Sequence, residues 1–287
     1  MATGRVPSPI FTLTAPDHLI EKRSKLIAFG WYGGKFSHLN WLLPLLPDCH
    51  HYCEPFAGSA AVLLNRAPSP VETYNDIDGE VANFFRVLRD HKEALTEAIG
   101  LTPFSREELF LAVSPTDGAV SEIERARRFF VRARQTRTGL AQTSSLGRWA
   151  NCKNTSRAGM SGVISRWLGS VEALPAIALR LLRVQIENRP AIEVIKLYDD
   201  RETLFYCDPP YVHSTRGDSK AYGFEMSDKA HGDLAATLKQ VRGKVALSGY
   251  RCDLMDILYK DWNCIEAPPK HCHSIKKMRQ EAVWTNY

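Results

Sequence analysis

Apolar and polar positions follow two different periods along this chain, and their order predicts its elements. His50-His51-Tyr52-Cys53 reads as a short strand, Glu54 to Ser59 as a turn and Ala60 to Asn65 as a helix. Val71-Glu72-Thr73-Tyr74 reads as the next strand. Gly79 to Arg89 then carries Val81, Phe84, Phe85 and Leu88 on one helical face. Strand, helix, strand in this order is a βαβ unit, which predicts a parallel sheet. Helical periods follow over His91 to Ile99, Ser105 to Ala112 and Glu122 to Ala133. From Gln135 to Gly162 the chain turns polar, with too few apolar residues to bury much core. The helical pattern resumes over Leu174 to Leu182. From Arg189 the α/β alternation returns. Ile192 to Leu197 is a short helix, and Thr203 to Cys207 is an apolar strand. Ser227 to Gln240 is a helix with Ser227 as N-cap. Lys244 to Leu247 is a strand running into Ser248-Gly249-Tyr250. Trp262 to Ile265 and Glu281 to Trp284 read as terminal strands. No internal repeat is visible.

Composition adds limits to this picture. With 287 residues, 44% hydrophobic and 24% charged, the chain reads as an ordinary globular protein, large enough for a core with an insertion. Its apolar runs are too short to span a bilayer. Met1 to Pro16 lacks a signal-peptide pattern and reads as a loose arm. The seven cysteines are scattered and form no CxxC pair, so free thiols in a reducing, cytoplasmic setting are expected. His271-Cys272-His273 has no second ligand pair at metal-site spacing, so no metal is expected. The net charge of +5 is unevenly placed: residues 121–189 hold 13 basic and 4 acidic side chains, a surplus of +9, and the remainder is net −4. Such a segment suits the phosphates of a nucleic acid. A solvated helix face competes with that reading, because Arg125, Arg128 and Arg132 recur at helical spacing.

The most specific chemistry follows the Thr203 to Cys207 strand. Asp208-Pro209-Pro210-Tyr211 stops it with two prolines, which hold the neighbouring carbonyls in an extended path. Those carbonyls and the Asp208 carboxylate are acceptors suited to an amino group, and Tyr211 offers a flat ring for a nucleobase. Further upstream, Glu54-Pro55-Phe56-Ala57-Gly58-Ser59 places a glycine at a strand-to-helix turn, where α/β sheets admit ligands. Asp76 ends the following strand, about 20 residues on, a position that takes ribose hydroxyls in nucleoside-binding sheets. No P-loop is present, so a nucleoside cofactor need not carry phosphates. Trp31-Tyr32-Gly33-Gly34-Lys35 offers paired glycines, an aromatic cover and a cation.

Taken in order, these motifs resemble the Dam-type DNA adenine-N6 methyltransferases: Trp31 to Lys35, Glu54 to Ser59, Asn75-Asp76-Ile77-Asp78, Asp208 to Tyr211 and Glu281-Ala282-Val283-Trp284-Thr285-Asn286-Tyr287. The resemblance covers roughly 27–90 and 190–287. It implies an S-adenosylmethionine methyltransferase (Rossmann-like) sheet with an inserted, mainly helical and loop target-recognition domain. The expected division is 1–26 an N-terminal arm, 27–89 the cofactor-binding half, 90–189 the insertion and 190–287 the catalytic half. It implies S-adenosyl-L-methionine as methyl donor, S-adenosyl-L-homocysteine as product, and duplex DNA as partner, with the target base flipped out of the helix. By resemblance Trp31, Lys35, Glu54, Phe56, Gly58, Asp76, Ile77 and Asp208 form the cofactor site. Asp208, Pro209, Pro210 and Tyr211 form the catalytic motif, with the Tyr211 ring rather than its hydroxyl stacking on the base. Arg134, Arg137 and Arg148 are the candidate DNA contacts. Arg134-Gln135-Thr136-Arg137-Thr138-Gly139-Leu140 departs from the Asn-Gly hairpin signature of better-known members, so the recognised sequence does not follow, and neither does the oligomeric state, monomer or homodimer. Cytosine-N4 transfer would use the same chemistry. Glutamine-N5 transfer is opposed by Asp208, where that class usually has Asn, and by the basic insert. A catalytically decayed DNA-binding protein is opposed by the intact acidic motif.

Overall fold

A computed structural model describes residues 25–115, 119–137, 141, 145–157, 159–215, 224–268 and 280–287. The expected N-terminal arm up to residue 24 and the His271-Cys272-His273 triplet lie outside them, as do Thr138-Gly139-Leu140.

Seven strands form one sheet. β1 (His51–Glu54) lies between β2 (Val71–Asn75) and β6 (Thr203–Cys207), parallel to both. β5 (Gln185–Glu187) extends the β2 edge in parallel, and β7 (Lys244–Tyr250) extends the β6 side in parallel. β9 (Glu281–Thr285) runs antiparallel between β7 and β8 (Asn263–Glu266), giving the order β5-β2-β1-β6-β7-β9-β8. The register aligns His51 with both Val71 and Thr203, so β1, β2 and β6 end at one edge. The chain passes to opposite sides of β1, and such a reversal opens a crevice at the carboxyl ends of the strands.

Both faces of the sheet are covered, and the alternation of strand side chains sorts them into two cores. Tyr52, Leu204, Tyr206, Ala246 and Val283 face one cluster; Cys53, Phe205, Cys207, Val245, Leu247 and Trp284 face the other. The first cluster takes α2 (Ala61–Asn65), α3 (Gly79–Asp90), α4 (Lys92–Gly100), α5 (Arg106–Val113), α6 (Glu122–Arg134) and α7 (Gly162–Leu181). At its centre Phe84 stacks on Phe130 at 5.7 Å and 12°, and Phe29 meets Phe129 edge-on at 5.1 Å. The second cluster takes α8 (Ala191–Leu197), α9 (Asp228–Leu238) and α10 (Asp253–Leu258). Ser227 caps α9 through the Ala230 N–H, as its sequence predicts.

Several elements differ from the sequence reading. α7 starts at Gly162, well before Leu174, and continues through Pro175. Its first half is held by Trp167 buried against Phe130 and Phe104, and this tertiary packing outweighs the backbone bond lost at the proline. Within 90–189, helices α4 to α7 share their core with Tyr52 and Tyr74 of the sheet, and β5 is one of its strands. The polar stretch does contain a small hairpin, β3 (Ser156–Arg157) with β4 (Met160–Ser161).

Candidate active site

The crevice holds a cavity of about 310 Å³, within the range of small-molecule sites. Trp31, Lys35, Glu54, Phe56, Gly58, Asp76, Ile77, Asp208 and Pro210 line it, so every residue expected of the cofactor site converges on it. Pro209 is buried and is not part of this lining.

The turn after β1 forms its floor. Glu54 is buried and accepts the Tyr52 hydroxyl at 2.7 Å; burial pushes its carboxyl up to about 8. Gly58 has φ +49°, where a side chain is strained. A Cβ there would stand 2.5 Å from Trp31 Nε1. The glycine therefore makes room for the Trp31 indole, which continues into the core through Phe29 and Phe129. Hydrogen bonds tie the turn to β2 and to Asp76 just beyond it, among them Ala57 N–H to the Asn75 carbonyl at 2.9 Å. The Gly58 N–H donates to Asp76 Oδ2 at 2.8 Å, the Tyr74 hydroxyl donates to the Gly58 carbonyl at 3.0 Å, and Asn75 Nδ2 donates to the Pro55 carbonyl at 2.8 Å. Asn75 also bonds the Arg189 backbone in both directions, locking the loop before α8 to the same edge.

Asp76 accepts a second N–H, from Asp78, at 2.9 Å. Burial pushes its carboxyl up to about 6 against the pull of these two donors. Ile77 leaves 43% of its surface uncovered by the described residues at the cavity rim, an apolar face turned to the cavity.

The opposite wall is the Asp208 carboxylate. Lys35 Nζ donates to both its oxygens, at 2.7 and 2.8 Å, and to the Gly33 carbonyl at 2.7 Å. Burial opposes the charge on Lys35, but Asp208 and Glu281 outweigh it and hold an ammonium there. Burial raises the Asp208 carboxyl, and Lys35 offsets part of that rise.

Tyr211 differs from its expected place. It does not line the cavity and is 5% exposed, with Lys35 Nζ 4.9 Å from its ring centre and Tyr250 edge-on at 4.8 Å. Its hydroxyl donates to Glu281. Tyr206, Pro190, Ala191, Phe224, Glu225 and Met226 also line the cavity. Sequence reasoning missed them because they belong to no motif and arrive through the fold.

The three candidate DNA contacts lie outside the cavity lining. Arg134 donates to the Arg166 carbonyl at 3.3 Å. The Arg137 side chain donates to Asn151, and its N–H to the Arg148 carbonyl at 2.8 Å. Ion pairs divide the basic segment. Arg125 and Arg132 pair with Glu80, Arg127 and Arg128 with Glu124, and Arg180 with buried Glu72. Arg134, Arg137, Arg148, Lys153, Arg157 and Arg166 form no ion pair among the described residues.

A mainly parallel α/β sheet with an acid-lined cavity at its carboxyl edge is the architecture of a methyltransferase-type fold. The chain belongs to the D12 class N6 adenine-specific DNA methyltransferases, whose family model matches residues 31–280. It is also similar to the type II methyltransferase M1.LlaDCHI of Lactococcus lactis subsp. cremoris, 28% identical over 286 residues, covering 90% of this chain and 94% of that relative. The protein is thus an adenine-specific DNA methyltransferase, and the reaction is methyl transfer to adenine N6 rather than to cytosine N4 or glutamine N5. Use of S-adenosylmethionine is general to such enzymes. Among the described residues no group of three His, Cys, Asp or Glu could hold a metal ion, and no helix is long and apolar enough to cross a membrane.

Proposed function

We propose that the cavity binds S-adenosyl-L-methionine between the β1 turn and Asp76, and receives a flipped-out adenine at Asp208. The observation that carries this is the donor set. Four acidic side chains, Glu54, Asp76, Asp208 and Glu225, and the Lys35 ammonium line a cavity that also offers apolar surface from Phe56, Ile77 and Val62. A ligand with an adenine ring, ribose hydroxyls, a sulfonium and an amino acid end fits that set. Ile77 and Phe56 would cover the adenine ring, Asp76 would take the ribose, and Glu54 would face positive charge. When bound, the cofactor supplies an electrophilic methyl group.

The chain's own residues then work by position and electrostatics. Lys35 holds the Asp208 carboxylate by both oxygens, leaving each oxygen a further lone pair. Asp208 and the Pro209 carbonyl accept the two N–H bonds of the target amino group. This draws the nitrogen lone pair out of ring conjugation and directs it at the methyl. Residues 90–189 supply the DNA-reading surface, with the cations from Arg134 to Arg166 that form no ion pair among the described residues on phosphates or bases. The relative's designation as a type II methyltransferase supports a restriction-modification setting.

Asp208→Ala removes an acceptor that matters most in the transition state. Formation of N6-methyladenine on duplex DNA, measured by mass spectrometry, should fall at least about a hundredfold, as for the loss of one preorganised electrostatic partner. A variant as fast as the parent would reject the reading of Asp208.

A further inference from the structure

Behind Asp208 stands a buried carboxylate outside the cavity. Glu281 opens β9 and is 6% exposed. It accepts the Tyr211 hydroxyl, and its Oε1 lies 3.5 Å from Lys35 Nζ. Lys35 in turn grips Asp208. Two carboxylates therefore share one ammonium and one phenol in a space closed by Tyr250, whose residue pairs with Glu281 across the β7–β9 ladder. A buried phenol hydroxyl must find an acceptor. Within this cluster the acceptors are Glu281 and Asp208, which Lys35 Nζ brings together, 3.5 Å from Glu281 Oε1 and 2.7 Å from Asp208 Oδ1.

We infer that Glu281 is a positioning residue: by taking the Tyr211 hydroxyl it keeps the lone pairs of Asp208 free for the amino group of the target base. Without Glu281 the hydroxyl turns to Asp208 and occupies the acceptor that the substrate needs. This inference rests on the role proposed above for Asp208. A purely structural anchor for β9 would predict something different, because loss of the hydroxyl could then only add damage.

The sign of the coupling between Glu281 and Tyr211 separates the two. Tyr211→Phe alone, which keeps the ring, supplies the reference rate of the cycle. Glu281→Ala should lower kcat about tenfold or more, the scale of misplacing one electrostatic partner. In the Glu281→Ala background, Tyr211→Phe should restore kcat by at least about threefold, since it removes the competing hydroxyl. Glu281→Gln keeps an acceptor and should stay within about threefold of the parent, which provides a second reading if the alanine variant folds poorly. A double variant no faster than Glu281→Ala, or a glutamine variant as slow as the alanine one, would overturn the inference. Asp208→Ala run in parallel keeps the two readings apart: if it stays active the role of Asp208 fails, whereas if it is inactive and the double variant does not recover, only the inference about Glu281 fails.

Discussion

Glu54 is the residue whose chemistry depends most on where the fold puts it. Burial moves its carboxyl from the ordinary 4.5 up to about 8, so the folded protein keeps a proton that the unfolded chain has released. The sign follows from linkage. The contribution is fully present below pH 4.5 and is lost as pH rises through about 8. Asp76, raised to about 6, adds in the same direction over its lower window. A cationic ligand reverses the preference, because it favours the carboxylate. Cofactor affinity should therefore rise between pH 6 and about 8 and level off above, with protons released on binding. Isothermal titration calorimetry at pH 7 in two buffers of different ionisation heat measures that release. Equal apparent enthalpies in both would remove Glu54 from the charge balance of the site.

Among the elements, the turn between β1 and α2 combines strain and packing. Gly58→Ala adds a side chain at positive φ, costing roughly 1–2 kcal/mol, and drives it into the Trp31 indole. Thermal unfolding should report lower stability, and cofactor affinity should fall with it. Gly169→Ala is the contrasting case: on α7, with no atom within 4 Å of its new Cβ, it should stabilise by about 0.5–1 kcal/mol. Unchanged melting in the first variant would show that the indole yields freely. The β1 turn, Asp76 and Asp208 were legible in the sequence because each follows an apolar strand and carries its chemistry locally. β5 was not, since Gln185-Ile186-Glu187 is too short and polar to show a period and is defined only by pairing with β2. The first half of α7 was hidden in a polar context that the burial of Trp167 overcomes. Glu281 read as a strand residue because its partners, Lys35 and Tyr211, are distant in sequence.

Across the whole molecule, charge is distributed differently from its sequence count. Four arginines of α6 are neutralised by Glu80, Glu108 and Glu124, so the helix contributes less to a DNA-facing field than its composition suggests. The cations without an ion pair among the described residues begin at its last residue, Arg134, and run to Arg166. DNA affinity should fall steeply with salt, and replacing Arg137 or Arg157 by Ala should reduce the slope of log K against log salt by about 1 each if they meet phosphates. Arg125→Gln should leave that slope unchanged. Equal slopes for all three variants, measured by fluorescence anisotropy, would return the loop to a solvated surface. The antiparallel β9 also ties the two ends of the folding problem together. Its Glu281 reaches Tyr211 and Lys35, which the chain lays down far earlier. Because β9 inserts between two strands that precede it in the chain, a partly folded molecule in which it has not docked leaves a slot between β7 and β8 and Lys35 without its second carboxylate. Docking of that one strand therefore finishes the sheet and the surroundings of Asp208 in the same step.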